Sequence, residues 1–177
     1  MQKNYALALL CLLFFVACNR SNSSKSDINE LSKKSLYAFS DLVKQDTFKI
    51  AVKGSDTKNM HLLFTIVAYN GKEIYREELK AEEILKNYLA SAAMKKEKDK
   101  IKFLTEEVDF FFDERHFIEP AVTENENPDN NVPDIDFYNE LKKNGLNGFE
   151  YRISKDKNLY IAWSEKEHKV KVYYKCC

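Results

Sequence analysis

The sequence predicts an α+β domain in which an antiparallel sheet of about five to six strands packs against helices on one of its faces. Three observations support this fold class. A strand-turn-strand pattern occupies residues 60–79, two helical stripes follow between residues 84 and 112, and three alternating segments close the chain from residue 148. Because strands precede and follow the helices instead of alternating with them, the order favours antiparallel pairing.

The first two elements are predicted as a helix and a strand. Ser26 and Asp27 are favoured N-cap residues for a helix over residues 27–44. Its apolar side chains fit one helical stripe imperfectly, at Ile28, Leu31, Phe39, Leu42 and Val43. Residues 47–54 alternate between apolar and mainly basic side chains, which is typical of a half-buried strand.

A β-hairpin is predicted for residues 60–79. Residues 60–69 are mostly apolar on both strand faces, as expected for a central strand. Asn70 and Gly71 favour a two-residue turn, because both residue types tolerate positive φ. The segment from Lys72 to Leu79 then returns as the partner strand.

Three helices are predicted in the middle of the chain. The last of these helices is short and follows the polar loop 123–133, with Asp134 as its N-cap and Gly145 just past its end. The apolar stripes of the first two comprise Ile84, Leu85, Tyr88, Leu89 and Ala92, and then Ile101, Leu104, Val108, Phe111 and Phe112.

The C-terminal segment is predicted to form a three-stranded meander. Its strands alternate, and short charged turns join them. The residues that share a face within each strand are Phe149, Tyr151 and Ile153, then Leu159, Ile161 and Trp163, and finally Val170, Val172, Tyr174 and Cys176.

The N-terminal apolar run is too short for a membrane span. Residues 6–17 carry no charge, whereas a spanning helix needs roughly 20 apolar residues. The run has the length of a signal-peptide core, and Lys3 precedes it. Phe15, Val16, Ala17 and Cys18 resemble the lipobox of bacterial lipoproteins, although leucine is usual where Phe15 stands. An uncleaved N-terminus and a plain secretory signal are the alternatives.

The lipobox resemblance implies cleavage before Cys18, with diacylglycerol on its sulfur and an acylated new N-terminus; two or three acyl chains anchor stably. The predicted organisation is a signal peptide over 1–17, a lipidated cysteine with a flexible tether over 18–26, and a single α+β domain over 27–177. The tether is polar and rich in serine.

The whole layout resembles small lipoproteins of Bacteroidota. The residues that carry this resemblance are G-K-E-I-Y at 71–75, D-F-F-F at 109–112 and V-Y-Y-K-C-C at 172–177. In those proteins an acidic run after the cysteine accompanies surface display, and here the first acid is Asp27. The resemblance therefore implies a membrane-anchored position in the bacterial cell envelope, facing the periplasm, and it implies no particular activity.

Charge and motif content exclude several function classes. The chain has 28 basic and 28 acidic residues, so no global field attracts nucleic acid, and no nucleic-acid partner is expected. The three histidines lack metal-ligand spacing, and no phosphate loop or nucleophile elbow occurs. We therefore expect no metal and no cofactor.

Two residue pairs could carry chemistry. Asp113 and His116 combine a carboxylate with an imidazole, which suits general acid–base work, although His116 also suits a helix C-terminus. Cys176 and Cys177 are either a redox pair or a small core residue followed by a frayed end. Neighbouring cysteines on a strand point to opposite faces, so a bond between them is strained.

Two functional hypotheses follow. The first is a non-enzymatic, lipid-anchored protein with an accessory role or a protein or peptide ligand, in which exposed tyrosines make contact. The second is a small envelope hydrolase or redox accessory that uses Asp113 and His116, or Cys176 and Cys177. The candidate contact residues of the first hypothesis, for each of which core packing is an equal alternative, are Tyr69, Tyr75, Tyr160 and Tyr173.

Overall fold

Two antiparallel four-stranded sheets and three helices make up the α+β fold of the computed structural model, which describes residues 31–86, 88–89 and 94–176. The α+β class is confirmed, whereas the single sheet of five to six strands is wrong. The signal peptide, the tether, Ala92 and Cys177 lie outside the described residues. The elements are β1 (Ser32–Ala38), β2 (Gln45–Lys53), β3 (His61–Val67), β4 (Glu73–Lys80), α1 (Ala81–Leu85), α2 (Glu97–Phe110), β5 (Phe117–Ile118), α3 (Ile135–Asn144), β6 (Gly148–Ser154), β7 (Lys157–Ser164) and β8 (Lys169–Cys176).

The first sheet runs β1-β2-β3-β4 in chain order, with every neighbouring pair antiparallel. The predicted strand at 47–54 and the predicted hairpin at 60–79 are confirmed. The turn is longer than the predicted two residues. The Ala68 N–H donates to the Lys72 carbonyl at 2.8 Å, so residues 69–71 lie between the last hydrogen-bonded pair. Within this turn only Gly71 has a positive φ, at 85°.

A strand replaces the helix predicted for residues 27–44 over its described part. Burial in β1 has period two: Leu36 is 61% exposed while Tyr37 is 8% exposed. Leu42 and Val43, which completed the helical stripe, are 58% and 85% exposed in the loop that follows. Pairing with β2 therefore outweighs an imperfect helical pattern.

The three helices differ in how well the sequence predicts them. The first apolar stripe extends to residue 92, yet α1 ends at Leu85, and Leu89 is 42% exposed. In α2 the buried residues Leu104 and Val108 follow the predicted stripe. The Asp134 carboxylate caps α3 by accepting from the Phe137 N–H at 3.0 Å, and Gly145 ends this helix with φ 66°.

The main core lies between the two sheets and is rich in aromatic rings. The ring centroid of Phe149 lies 5.2 Å from that of Phe48 and 5.4 Å from that of Phe64. Tyr75 and Tyr151 share a hydrogen bond of 2.6 Å between their hydroxyls. Buried residues of α1 and α2 complete the same cluster. Tyr75 is therefore a core residue and not an exposed contact point.

The second sheet runs β5-β6-β7-β8, and the predicted meander is its last three strands. Ile161 faces the main core, whereas its neighbour Ala162 faces a second cluster built with α3. The fully buried Ser164 hydroxyl holds α3 here by donating to both Glu140 carboxylate oxygens at 3.1 Å. Both faces of this sheet are therefore covered, by the main core and by the cluster with α3. The prediction that all helices pack on one face is wrong.

Candidate functional site

Asp113 and His116 lie on a short turn that follows α2. The Asp113 carboxylate caps this 3₁₀ turn by accepting from the backbone N–H of Arg115 at 3.2 Å and from its Nε at 2.8 Å. These bonds lower the pKa of Asp113. The His116 Nδ1 lies 3.0 Å from the carbonyl oxygen of Phe111. Each side chain thus has a partner of its own, and no hydrogen bond joins the two.

The His116 ring lines a cleft of about 270 Å³ at the end of the second sheet. Strand β5 has only two residues, so β6 has no strand neighbour beyond Phe149 on that side. Glu107 and Glu150 line the same cleft, but Glu107 forms an ion pair with Arg152. The cleft brings His116 close to carboxylates and does not include Asp113 among its lining residues.

Cys176 differs from the expectation of a small core residue. Cys176 is half-buried at the end of β8 and forms a disulfide bond. Cys177 lies outside the described residues. The core-residue interpretation of Cys176 is therefore wrong, because a disulfide and partial exposure replace apolar packing.

A second cleft, which we name the tyrosine cleft, is walled by four tyrosine rings and encloses about 350 Å³. Three of these residues come from the sheet and one from α3. The Tyr160 ring meets the rings of Tyr173 and Tyr174 nearly at right angles, with centroid distances of 6.1 and 5.3 Å. The lining residues are Ile118, Ala121, Glu126, Asn127, Asp129, Tyr138, Tyr160, Tyr173 and Tyr174.

An irregularity in the ladder of β7 and β8 builds this cleft. Tyr160 pairs with Tyr174 and the next residue, Ile161, pairs with Val172, so Tyr173 is an extra residue between the two pairs. Such a bulge re-aims side chains. It lets Tyr173 and Tyr174 both pack on the α3 side, whereas strict alternation placed Tyr174 with Val172. The predicted facing of Tyr174 is therefore wrong.

Two carboxylates and a loop close the cleft. The Tyr174 hydroxyl donates to Asp129 Oδ2 at 3.0 Å, and the Asn131 N–H donates to Asp129 Oδ1 at 2.8 Å. Glu126 Oε2 accepts from the Thr123 N–H at 2.6 Å. Within the described part of the chain neither Glu126 nor Asp129 forms an ion pair.

Electrostatics in the cleft favour positive charge. Hydrogen bonding, first from the Asn131 N–H, lowers the pKa of Asp129, so its carboxylate is ionised at neutral pH. Burial together with the Glu150 carboxylate raises the pKa of Tyr160 to about 12. Burial raises the pKa of Tyr173 as well. The site thus presents neutral rings and negative oxygens.

Tyr173 lines the cleft, and its hydroxyl has no hydrogen-bond partner among the described residues. Tyr173 is 3% exposed, and no fully buried polar side-chain atom of the described chain lacks a partner. The hydroxyl therefore reaches the cleft itself. A Cβ added to Gly148 would lie 2.7 Å from this oxygen, so glycine is what makes room for it.

Sequence reasoning identified only part of this cleft. It named Tyr160 and Tyr173 as possible contact points, but it missed Tyr138, Tyr174, Glu126 and Asp129. Polar residues crowd loop 123–133 and tyrosines crowd β8, yet nothing in the sequence says that the two segments meet. Tyr69, another predicted contact point, is 49% exposed and has the Lys44 ammonium 4.2 Å from its ring centroid.

No family model, curated protein or solved structure matches this chain. In the described residues no group of three or more His, Cys, Asp and Glu side chains is arranged to hold a metal ion. None of the helices in that part of the chain combines the length and hydropathy that a membrane-spanning helix requires.

Proposed function

We propose that this chain is a lipid-anchored protein of the bacterial cell envelope that faces the periplasm and binds a protein or peptide without enzymatic activity. The observation that carries the binding role is the tyrosine cleft. Tyrosine is enriched at binding surfaces, because it offers a large, rigid face and a polar tip at low entropic cost.

The cleft has the features of a binding site rather than of a reaction centre. Its polar groups are tyrosine hydroxyls, carboxylates and one amide, and a nucleophile with an adjacent base is missing from its lining residues. A volume of about 350 Å³ lies at the lower end for ligand pockets, so the cleft suits one side chain of a larger ligand.

The proposed anchor restricts where the partner is met. Residues 19–30 separate Cys18 from the first described residue, Leu31. The thirteen residue steps from Cys18 to Leu31 reach at most about 45 Å when the chain is extended. The partner should therefore lie close to the membrane, as a membrane protein or as a periplasmic protein recruited to it.

A second candidate is a small envelope hydrolase or redox accessory. The observation that favours a hydrolase is the position of His116, which lines a cleft together with Glu107 and Glu150. The redox version rests on the disulfide of Cys176, beside Cys177. Hydrolysis of chromogenic esters that is lost in His116→Gln and retained in Asp113→Asn would favour the hydrolase.

Affinity capture from crosslinked envelopes tests the proposed function. The full-length protein should retain one specific partner, and the double variant Tyr160→Leu and Tyr174→Leu should lose it. Tyr69→Leu is the matched control, because it removes an exposed tyrosine outside the cleft. Retention of the partner by the double variant, with an unchanged fold by circular dichroism, would count against the tyrosine cleft as the binding site.

A further inference from the structure

Resting on the proposed function, we propose that the tyrosine cleft binds an alkylammonium group, the charged end of a lysine side chain in a peptide ligand. The inference rests on three observations that are independent of one another: the arrangement of the rings, the unpaired carboxylates and the free hydroxyl of a buried tyrosine.

The rings form walls of the kind that hold organic cations. Tyr160 meets Tyr173 at an interplanar angle of 73° and Tyr174 at 86°, so neighbouring walls are nearly perpendicular. A cation near an aromatic face is attracted by the negative face of the ring, and cages of such rings recognise ammonium ligands. The methylenes of a lysine side chain add apolar contact with the same rings.

The carboxylates supply charge that the described chain does not neutralise. Glu126 and Asp129 line the cleft and form no ion pair with the described residues. The Lys142 ammonium reaches the loop but donates to the backbone carbonyl of Glu126, and Lys142 does not line the cleft. An incoming cation would therefore meet these two carboxylates without competition from a basic side chain among the lining residues.

The Tyr173 hydroxyl supplies an acceptor among the lining residues of the cleft. Tyr173 is only 3% exposed, and its hydroxyl forms no hydrogen bond with the described residues. An ammonium carries three donors and no acceptor, so an unpartnered hydroxyl oxygen suits it. A neutral apolar side chain would leave this oxygen unpaired.

The test is a titration of the full-length protein, purified in detergent with carbon-13-labelled tyrosine rings and followed by nuclear magnetic resonance. The probes are an acetylated Gly-Lys-Gly amide, the same peptide with norleucine for lysine, and cadaverine. The lysine peptide should shift the ring signals of Tyr160, Tyr173 and Tyr174 and leave Tyr69 unchanged. The norleucine peptide should bind at least about tenfold more weakly, because it retains the methylenes and lacks the ammonium.

Variants separate charge from packing. Asp129→Asn and Tyr160→Leu should each weaken lysine-peptide binding about fivefold to tenfold, whereas Tyr69→Leu should leave it unchanged. Tyr173→Phe removes one hydroxyl from a ring that stays in place, which keeps the test informative if Tyr160→Leu unfolds. Tighter binding of cadaverine than of the peptide would support the alkylammonium site and identify a free amine as the source.

Equal binding of the lysine and norleucine peptides would overturn the inference. So would the finding that none of the probes shifts the tyrosine ring signals. The proposed function is judged separately, by whether capture of the partner requires Tyr160 and Tyr174. If capture requires them and no probe binds, the partner uses a different chemistry in the same cleft. If capture does not require them either, both proposals fail.

Discussion

Tyr174 donates a hydrogen bond of 3.0 Å to Asp129, and this bond joins the last strand of the fold to the polar loop that covers its sheet. The Asn131 side chain reaches the same hydroxyl at 3.2 Å. The Lys175 N–H also donates to the Asn131 carbonyl at 3.1 Å. Loop 123–133 therefore depends on β8 for its position, and the shape of the tyrosine cleft depends on both.

Tyr174→Phe should loosen the loop and leave the main core intact. The ring stays, but the carboxylate of Asp129 loses one of its donors. Amide hydrogen exchange should become about two- to tenfold faster in residues 123–133 and stay unchanged in β2 and β3. Tyr69→Phe serves as the control. Unchanged exchange in the loop would show that this bond does not hold it.

Gly148→Ala should destabilise the fold by crowding Tyr173. The added Cβ would lie 2.7 Å from the Tyr173 hydroxyl and 3.1 Å from the Ala121 Cβ. We expect a loss of about 1–3 kcal/mol in the free energy of unfolding, the usual cost of overpacking. The cost should shrink in a Tyr173→Phe background, and additive effects in this double-mutant cycle would refute the contact.

Alkaline pH should weaken the fold through its buried tyrosines, among them Tyr75 and Tyr160. Burial raises the pKa of Tyr75 and that of Tyr160 to about 12, against about 10 in an unfolded chain. Because both pKa values are higher in the folded state, their contribution is complete below about pH 10 and is lost as the pH rises towards about 12. Urea unfolding across this range measures the loss, and Tyr160→Phe should reduce it. Constant stability across the range would contradict both shifts.

Cys18→Ala should keep the precursor from being processed. Lipid transfer needs the sulfur, and the resemblance to lipoproteins implies that cleavage depends on lipid transfer. Metabolic labelling with palmitate should vanish, and the uncleaved precursor should persist in the membrane. The native protein should begin at Cys18, and its measured mass should exceed that of the peptide chain by two or three acyl chains. An unmodified protein that begins at Asn19 or later would exclude the lipid anchor.

The local patterns of the sequence predicted most strands and caps. Asp134 and Gly145 bound α3 as expected, because capping depends on neighbouring residues only. The hairpin of β3 and β4 and the meander of β6 to β8 were predictable for the same reason. The meander strands alternate with the period of a strand, and the hairpin joins a continuous apolar run to a returning strand through Asn70 and Gly71.

The predictions that failed depend on contacts between distant segments. Strand β1 forms against β2, and this pairing determines its structure more than the imperfect stripe through Leu42 and Val43. The split into two sheets requires that none of the strands β1 to β4 pairs with β6, β7 or β8, which is decided by contacts between distant segments. The extra residue Tyr173 in the β7–β8 ladder has no local signal, so the facing of Tyr174 could not be predicted.

Site-specific photocrosslinking in living cells tests directly whether a partner binds in the tyrosine cleft. A benzophenone amino acid replaces Asn127, an exposed residue that lines the cleft, in one strain and the exposed Lys34, on the first sheet, in another. We expect one discrete crosslinked partner from position 127, lost when Asp129→Asn is added, and none from position 34. The same pattern of crosslinks from both positions, or crosslinks from position 34 alone, would contradict binding in the cleft.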